Sequence, residues 1–280
     1  MNISIIGAGQ MGSGIAQVLA QKNHSVTLID QSSKILETAV NSISTSCDRL
    51  IKKEKISLKE KENILSLITC AQDLKSAKNS DFVIEAVSEN IALKLKIFKE
   101  LDAICKPEAI LCSNTSSISI TKIAGHTNRP DKVMGMHFMN PVPIMKLVEG
   151  IKALQTSQDT FLKVKQLAES LEKVFVKSSK DMPGFIINRI LMPMINEAVF
   201  VLHEGVASVE DIDLGMKLGT NQPMGPLALA DFIGLDTCLA IMEVLDTGLG
   251  GGKYTPCPLL VKYVEAGWLG RKSGKGFYSY

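Results

Sequence analysis

Short apolar runs alternate with helical patterns through the first half of the chain, and this alternation limits the folds available to it. The runs lie at residues 3–7, 25–30, 81–87, 109–114 and 132–138, and the helical patterns at about 12–22, 33–54, 91–104 and 118–124. Near-continuous apolar runs of this length are typical of strands buried on both faces of a parallel sheet. Regular alternation of strand and helix therefore predicts an α/β fold with a doubly wound, Rossmann-like sheet.

One connection in this series is too long for a single crossover. Residues 31–67 contain two helical patterns broken near Ser57, which predicts a helical hairpin inserted off the sheet. Arg49, Lys52 and Lys53 lie on neighbouring faces of the first of these helices, because positions three and four apart are adjacent on a helix. Such a basic face is either a solvated helix surface or a binding site for the phosphate of a nucleotide.

The pattern changes in the second half of the chain. A helix at about 158–172 and a strand at 174–178 are followed only by helical patterns. Pro183 is a helix-start signal, since proline is tolerated in the first turn of a helix. We therefore predict a Rossmann-like domain over residues 1–181 and an all-α domain over residues 182–280.

Composition excludes several classes of protein. The formal net charge of +2 among 280 residues argues against a nucleic-acid-binding or membrane-surface protein. The six cysteines form no CxxC pair and no metal-ligand spacing, so we expect no metal site and reduced thiols in a cytoplasmic protein. The first predicted strand begins at once, so no secretory leader is expected. The apolar stretch 184–204 is interrupted by polar residues and a proline, which predicts a buried helix rather than a membrane span.

A glycine-rich turn follows the first predicted strand. Gly7, Gly9 and Gly12 have GxGxxG spacing, with Gln10 and Met11 between them. The spacing alone is a weak signal, but a strand before it and a helix after it make it a strong one. The three glycines permit a tight turn, a close approach of a pyrophosphate and close packing of helix on strand. We predict that this turn binds a dinucleotide at the helix N-terminus; a glycine-rich turn in a non-binding domain is the alternative.

Asp30 ends the second strand, where an acidic residue accepts hydrogen bonds from the adenosine ribose. A carboxylate at this position repels a 2′-phosphate, so NAD is predicted as the cofactor. Lys34 lies only one helical turn further on, which leaves NADP as an alternative.

His137 and Glu149 are the candidate acid–base pair. His137 ends a predicted strand and Glu149 lies in a second apolar run. Residues 113–117, "SNTSS", end the preceding strand, and ligands of open α/β sheets lie beyond such carboxyl ends. A histidine exchanges protons near neutral pH, and a carboxylate can orient its ring. A buried, hydrogen-bonded structural histidine is the alternative, and the crevice location favours the catalytic interpretation.

Six sequence blocks carry a resemblance to a known family over essentially the whole chain. They are "GAGQMGSG", "SNTSSISI", "GMHFMNPVPIMKLVE", "PGFIINRILMPMINEA", "NQPMGPLALADFIGLD" and "GWLGRKSGKGFYSY", in this order. Together they resemble the 3-hydroxyacyl-CoA dehydrogenase family, and most closely its short-chain bacterial members. The chain departs from the family pattern at three positions. Met139 stands where phenylalanine is usual, Gln222 where histidine is common and Gly150 where a larger residue is often found, and these departures bear on substrate preference.

The resemblance implies reversible hydride transfer between NAD(P) and a (3S)-3-hydroxyacyl-CoA such as the one formed from acetoacetyl-CoA. It implies that His137 is the general acid and base, that Glu149 is its partner, and that Ser116 and Asn188 bind the reacting oxygen. It also implies that the cofactor is bound by Glu89, Lys94, Ser116 and Asn140. For the acyl-CoA it implies contacts from Ser116, Asn188 and Asn221, and at the 3′-phosphate from the basic residues Arg49, Lys52 and Lys53.

The stretch 184–204 is apolar on more than one face, and about a hundred residues of helical domain can hardly cover it. We therefore predict a homodimer formed through the C-terminal helices, which would make residues 182–280 the substrate and dimerisation domain. Two other functions remain open. One is a two-domain β-hydroxyacid dehydrogenase that acts on a small free acid, and the other is a non-catalytic dinucleotide-binding protein.

Overall fold

A single eight-stranded sheet organises the first 181 residues of the computed structural model, which describes residues 1–280. The strands are β1 (Asn2–Ile6), β2 (Ser25–Ile29), β3 (Ile68–Ala71), β4 (Phe82–Glu85), β5 (Ile110–Ser113), β6 (Val133–Phe138), β7 (Leu147–Lys152) and β8 (Val174–Ser178). Their order in the sheet is β3-β2-β1-β4-β5-β6-β7-β8. The chain divides into two compact units, Met1–Asp181 and Met182–Tyr280.

The predicted doubly wound sheet is confirmed through β6, where neighbouring strands are parallel. β7 then runs antiparallel to β6, and β8 is parallel to β7. β3 and β7 were not predicted as strands. β3 is a partly exposed edge strand with no apolar run, and β7 has a glutamate and a glycine at buried positions. The apolar run around Glu149, interrupted by these two residues, is β7, whereas β3 has no such run to predict it.

Six helices accompany the sheet: α1 (Gln10–Gln21), α2 (Ser33–Lys52), α3 (Leu58–Ser66), α4 (Ile91–Ile104), α5 (Ile120–Ala124) and α6 (Gln158–Ser170). The predicted helical hairpin is α2 and α3, and a capping box at Ser57 starts its second helix. The hydroxyl of Ser57 accepts a bond from the Glu60 amide, and the Glu60 carboxylate accepts one from the Ser57 amide.

The hairpin does not stand free. The buried residues of α2 recur every three or four positions, at Leu36, Ala39, Ile43 and Cys47, and this stripe belongs to the same core as the buried face of α1. An amphipathic helix must bury its apolar stripe, so α2 packs against the helix that follows the glycine turn. One face of α2 is thereby turned toward the cofactor loop, and its basic C-terminal end stays exposed.

The second unit is all-α, as predicted, with α7 (Ile187–His203), α8 (Val209–Gly219), α9 (Pro226–Ile233), α10 (Leu235–Leu249) and α11 (Pro258–Glu265). α7 begins at Ile187 rather than at residue 184, because Gly184 and Phe185 have φ angles of +72° and +49° that no α-helix accepts. The core of the second unit includes Met192, Ile195, Val199, Leu227, Leu235 and Leu245. No helix combines the length and the apolar character that crossing a membrane requires.

Candidate active site

His137 and Glu149 meet because β6 and β7 are antiparallel. The register of the two strands pairs His137 directly with Glu149. The Nδ1 atom of His137 lies 2.8 Å from Oε2 of Glu149, and the side chains are 9% and 0% exposed. An ionised carboxylate can only accept hydrogen bonds, so Nδ1 carries the hydrogen and the proton-exchanging position of the neutral ring is Nε2.

Gly150, the residue after Glu149 on β7, makes room for an aromatic side chain on the face of the sheet opposite the pair. A Cβ atom on Gly150 would lie 1.9 Å from the ring of Phe175 on β8. The Phe175 ring in turn meets that of Phe161 edge to face, with centroids 5.7 Å apart. The space that a larger residue at position 150 would fill is therefore occupied from the neighbouring strand.

Asn114 joins the ends of β5 and β6. Its Oδ1 atom accepts a hydrogen bond of 2.8 Å from the backbone amide of Phe138, the residue after His137. This contact anchors the backbone next to the imidazole to the segment that carries Ser116. The "SNTSS" segment is marked by the sequence, but this role of Asn114 is not, because the bond depends on the β5–β6 register.

Glu89 accepts hydrogen bonds from three residues that follow β5. Its Oε1 atom accepts bonds from the Thr115 hydroxyl (2.5 Å), the Ser117 hydroxyl (3.0 Å) and the Ser117 amide (3.1 Å). Ser116 adds an amide bond of 2.9 Å and a longer hydroxyl bond of 3.2 Å. Burial by itself raises the pKa of Glu89, but the charge of Lys94 and these hydrogen bonds outweigh it, so the pKa lies below its ordinary value.

Lys94 is a buried cation between two carboxylates. Its Nζ atom lies 2.6 Å from Oε1 of Glu85 and 3.3 Å from Oε2 of Glu89. Glu85 is fully buried and also accepts a bond of 2.6 Å from the hydroxyl of Ser113. Glu85 was not predicted as a site residue, since a single glutamate at the end of an apolar run has no distinctive spacing. It completes the network that holds Lys94 and Glu89.

The glycine turn has the backbone geometry of a dinucleotide loop. Gly7 has a φ of +97°, and a Cβ there would lie 2.8 Å from the Ala86 carbonyl oxygen. A Cβ on Gly12 would lie 1.8 Å from the Gly7 carbonyl oxygen, so α1 can pack this closely only with glycine at that position. Gly9 has open space at its Cβ, as a position that receives a ligand requires.

Asp30 lies beside this turn. Its carboxylate accepts bonds of 3.0 Å from the amides of Ala8 and Ser32. It lines a cavity of about 740 Å³, here called the acidic cavity, together with Gly7 and Gly9. Asp73 and Glu100 also line the acidic cavity, and Lys96 is its one basic residue. These charges suit an adenosine with a free 2′-hydroxyl and oppose a 2′-phosphate, so the site fits NAD.

Two more cavities border α2. The central cavity, about 740 Å³, is lined by Gly9, Gln10, Asn140, Lys34 and Arg49. The basic cavity, also about 740 Å³, contains Arg49, Lys53, Lys22, Lys55, Lys146 and Lys173, against two acidic residues, Glu60 and Glu172. Lys34 thus lines the central cavity, which shares Gly9 with the acidic cavity that Asp30 lines. Lys52 is exposed and stands outside the lining of the basic cavity.

The remaining predicted site residues have different local settings. Met11 is half-buried in the first turn of α1, and Asn140 is exposed and precedes Pro141 in a cis peptide bond. In the second unit, Asn188 is buried in the first turn of α7, and Asn221 is exposed after α8 with a φ of +55°. The first unit therefore brings together the histidine, the glutamate, the serine segment and the glycine turn.

A Rossmann-like sheet with a GxGxxG turn and a buried histidine–glutamate pair at the end of a strand is typical of an oxidoreductase that uses a nicotinamide cofactor. The particular family follows from comparison with known proteins. The profile described as "3-hydroxyacyl-CoA dehydrogenase, NAD binding domain" matches residues 2–182, and that of the family's C-terminal domain matches residues 184–280. The chain belongs to the 3-hydroxyacyl-CoA dehydrogenase family, and the cofactor of its first unit is NAD.

Similar proteins cover the whole chain. A probable 3-hydroxybutyryl-CoA dehydrogenase of Bacillus subtilis is 55% identical over 99% of this chain and 96% of its own length. The mitochondrial hydroxyacyl-coenzyme A dehydrogenase of Homo sapiens is 43% identical over 100% of this chain and 91% of its own length. The crystal structure of an (S)-3-hydroxybutyryl-CoA dehydrogenase from Ralstonia eutropha has a TM-score of 0.96 and 51% identity, and covers 100% of this chain and 98% of that one.

Proposed function

We propose that the protein is a 3-hydroxybutyryl-CoA dehydrogenase, which interconverts a (3S)-3-hydroxyacyl-CoA and the corresponding 3-ketoacyl-CoA. The observation that carries this proposal is the buried His137–Glu149 pair at the carboxyl end of β6, in a family whose members named above act on such substrates. NAD, when bound, accepts or returns the hydride at the carbon that bears the hydroxyl.

His137 handles the proton. With Nδ1–H donated to Glu149, Nε2 takes the proton of the substrate hydroxyl during oxidation and returns it to the ketone oxygen during reduction. The negative carboxylate of Glu149 stabilises the imidazolium that forms and keeps the ring in one orientation. Both side chains are buried, so little water competes for the proton.

Ser116 and Asn188 stabilise charge on the reacting oxygen. The Ser116 hydroxyl donates to Glu89 at 3.2 Å, the longest of the five bonds that this oxygen of Glu89 accepts. Turning the hydroxyl from Glu89 to a substrate oxygen therefore loses little. Glu89, paired with Lys94, accepts bonds from the backbone amides of Ser116 and Ser117 and so fixes the backbone there. Glu89, Lys94 and Asn140 support the cofactor.

Arg49, Lys52 and Lys53 bind the phosphate end of the acyl-CoA. Support comes from the basic cavity, which Arg49 and Lys53 line, and from the exposed position of Lys52 at the end of α2. Arg49 lines the central cavity as well, which joins this region to the glycine turn. Asn221 is proposed as a further substrate contact.

The protein forms a homodimer through its C-terminal helices. Support comes from large apolar side chains left exposed on the second unit, with Ile190 68%, Val206 70% and Leu218 76% exposed. Analytical ultracentrifugation tests this, and a stable, active monomer would refute it. We also propose a cytoplasmic location, supported by six free cysteines without a disulfide.

One comparison tests the activity against its two rivals. The purified protein is assayed for reduction of acetoacetyl-CoA and of free acetoacetate, each with NADH and with NADPH. We expect reduction of acetoacetyl-CoA with NADH as the preferred cofactor. Preference for free acetoacetate would indicate a β-hydroxyacid dehydrogenase, and NADH binding without turnover of either compound would indicate a non-catalytic dinucleotide-binding protein.

A further inference from the structure

Lys173 is a buried lysine whose ammonium group is bound to backbone carbonyls. The residue follows α6 and directly precedes β8, and it is 8% exposed. Its Nζ atom donates to the carbonyl oxygen of Val142 at 2.6 Å and to that of Met145 at 2.7 Å. Both acceptors belong to the β6–β7 loop, residues 139–146, which joins His137's strand to Glu149's strand.

The ammonium group has no carboxylate partner within ion-pair distance. The adjacent Glu172 pairs with Lys22 instead. Burial lowers the pKa of Lys173, in keeping with the unfavourable transfer of a cation out of water. The two hydrogen bonds to loop carbonyls offset part of this cost, so the cation is held here by the loop rather than by an opposite charge.

The β6–β7 loop adjoins the strands of His137 and Glu149, the helix α1 and the central cavity. Within the loop, the amides of Ile144 and Met145 both donate to the Pro141 carbonyl at 3.0 Å, which leaves the Val142 and Met145 carbonyls for Lys173. Val142 is 2% exposed and lies against α1, where a Cβ on Gly14 would come within 2.9 Å of it. Loop residue Asn140 lines the central cavity beside the glycine turn.

From these contacts we infer that Lys173 is a positioning residue for the proposed dehydrogenase reaction. By binding two loop carbonyls, it holds the β6–β7 loop against α1 and keeps the His137–Glu149 pair and Asn140 in alignment with the cofactor turn. The expected effect on kcat rests on the proposed function, whereas the holding of the loop rests only on the contacts of Lys173. Lys173 touches neither member of the pair, so it acts through the loop.

A different role would leave a different signature. Lys173 also lines the basic cavity, where its charge would attract the phosphates of an acyl-CoA. A residue that only attracts phosphates affects the binding of substrates that carry a nucleotide. A residue that positions the loop affects turnover of every substrate, including a thioester without a nucleotide.

The test compares Lys173→Met, Lys173→Arg and wild type on acetoacetyl-CoA and on S-acetoacetyl-N-acetylcysteamine, a thioester with no nucleotide. Lys132→Met is the matched control, because Lys132 also donates to a backbone carbonyl, that of Pro107 at 2.8 Å, away from the loop. Hydrogen exchange of the amides of residues 139–146 and thermal melting are measured on all four proteins.

We expect Lys173→Met to melt somewhat below the wild-type temperature, because two loop carbonyls lose their donor, and to exchange the loop amides faster. It should lower kcat roughly ten- to a hundredfold on both thioesters, the effect of small misalignment. Lys173→Arg, which keeps two donors, should recover much of kcat, and Lys132→Met should match wild type. If Lys173→Met fails to fold, Lys173→Gln, which keeps a donor but no charge, replaces it in the same measurements.

Unchanged kcat and loop exchange in Lys173→Met, with a raised KM for acetoacetyl-CoA alone, would overturn the positioning role in favour of phosphate attraction. If wild type reduces neither thioester, the proposed function is wrong. Loop exchange in the variants then still decides whether Lys173 holds the loop, since that measurement requires no activity.

Discussion

His137 and Glu149 stand directly opposite each other on antiparallel strands, with Nδ1 and Oε2 2.8 Å apart. The strand register brings them together although the β6–β7 loop separates them in the chain. Their alignment depends on contacts at both ends of the loop: Asn114 binds the amide of Phe138, and Lys173 binds the carbonyls of Val142 and Met145. These contacts suggest several measurements.

Replacing His137 with glutamine should lower kcat for acetoacetyl-CoA reduction by about a hundredfold or more, because the reaction loses its positioned acid and base. NADH affinity, followed by fluorescence titration, should stay at the wild-type value. Glu149→Gln should lower kcat as much or less, since an amide can still orient the ring but cannot stabilise its charge. A His137→Gln enzyme with undiminished turnover would end the assignment.

Glu85→Gln should destabilise the first unit by about 3–5 kcal/mol, because it leaves the buried Lys94 without its closest carboxylate. Urea unfolding followed by circular dichroism measures the change. Glu100→Gln is the control: it removes an exposed i,i+4 pair with Lys96 at 4.0 Å, worth about 0.3–0.5 kcal/mol. Equal effects of the two substitutions would show that the Glu85–Lys94 pair contributes no more than a surface pair.

The stabilising contribution of Glu89 should disappear in acid. Its pKa is lower in the folded protein than in the unfolded chain, so its contribution is complete above the ordinary carboxyl pKa of about 4.3 and is lost as the pH falls through the lower folded value. Melting temperatures of wild type and Glu89→Gln should therefore differ most near pH 7 and converge below pH of about 4. A difference that stays constant over this range would show that the Glu89 carboxylate is not stabilised by its neighbours.

Gly150→Ala should destabilise the protein by about 1–3 kcal/mol, because the new methyl group overlaps the Phe175 ring and buried rings cannot shift freely. The double variant Gly150→Ala/Phe175→Leu should recover part of this loss, since a smaller side chain on β8 makes room. Thermal unfolding of the two single variants and the double variant gives the coupling energy. Additive effects would show that the two positions do not compete for the same space.

Replacing Lys53 with methionine should raise the KM for acetoacetyl-CoA several-fold and leave kcat nearly unchanged, because the residue is proposed to contact only the phosphate end of the substrate. The KM for S-acetoacetyl-N-acetylcysteamine should not change. The KM effect on acetoacetyl-CoA should also shrink at high salt, which screens exposed charges. A fall in kcat on both thioesters would place Lys53 in the reacting part of the site.

Sequence periodicity was sufficient to predict the α/β class, five of the six parallel strands and the helical second unit. Buried strands and amphipathic helices leave local patterns of apolar residues, and the glycine turn requires particular residues at particular positions. The strand pattern also made His137 and Glu149 candidates, and the family resemblance added Ser116. It did not point to Glu85, Asn114 or Lys173, which have ordinary local contexts.

The sequence by itself determined which chemical groups are available and which segments become strands or helices, because these depend on residue type and short-range spacing. Only the tertiary structure decided which groups meet. Glu149 reaches His137 through the antiparallel turn from β6 to β7, Glu85 and Glu89 converge on Lys94, and Lys173 reaches the loop from the far end of α6. Such contacts depend on strand register and helix packing, which are set by the burial of the whole chain rather than by any local pattern.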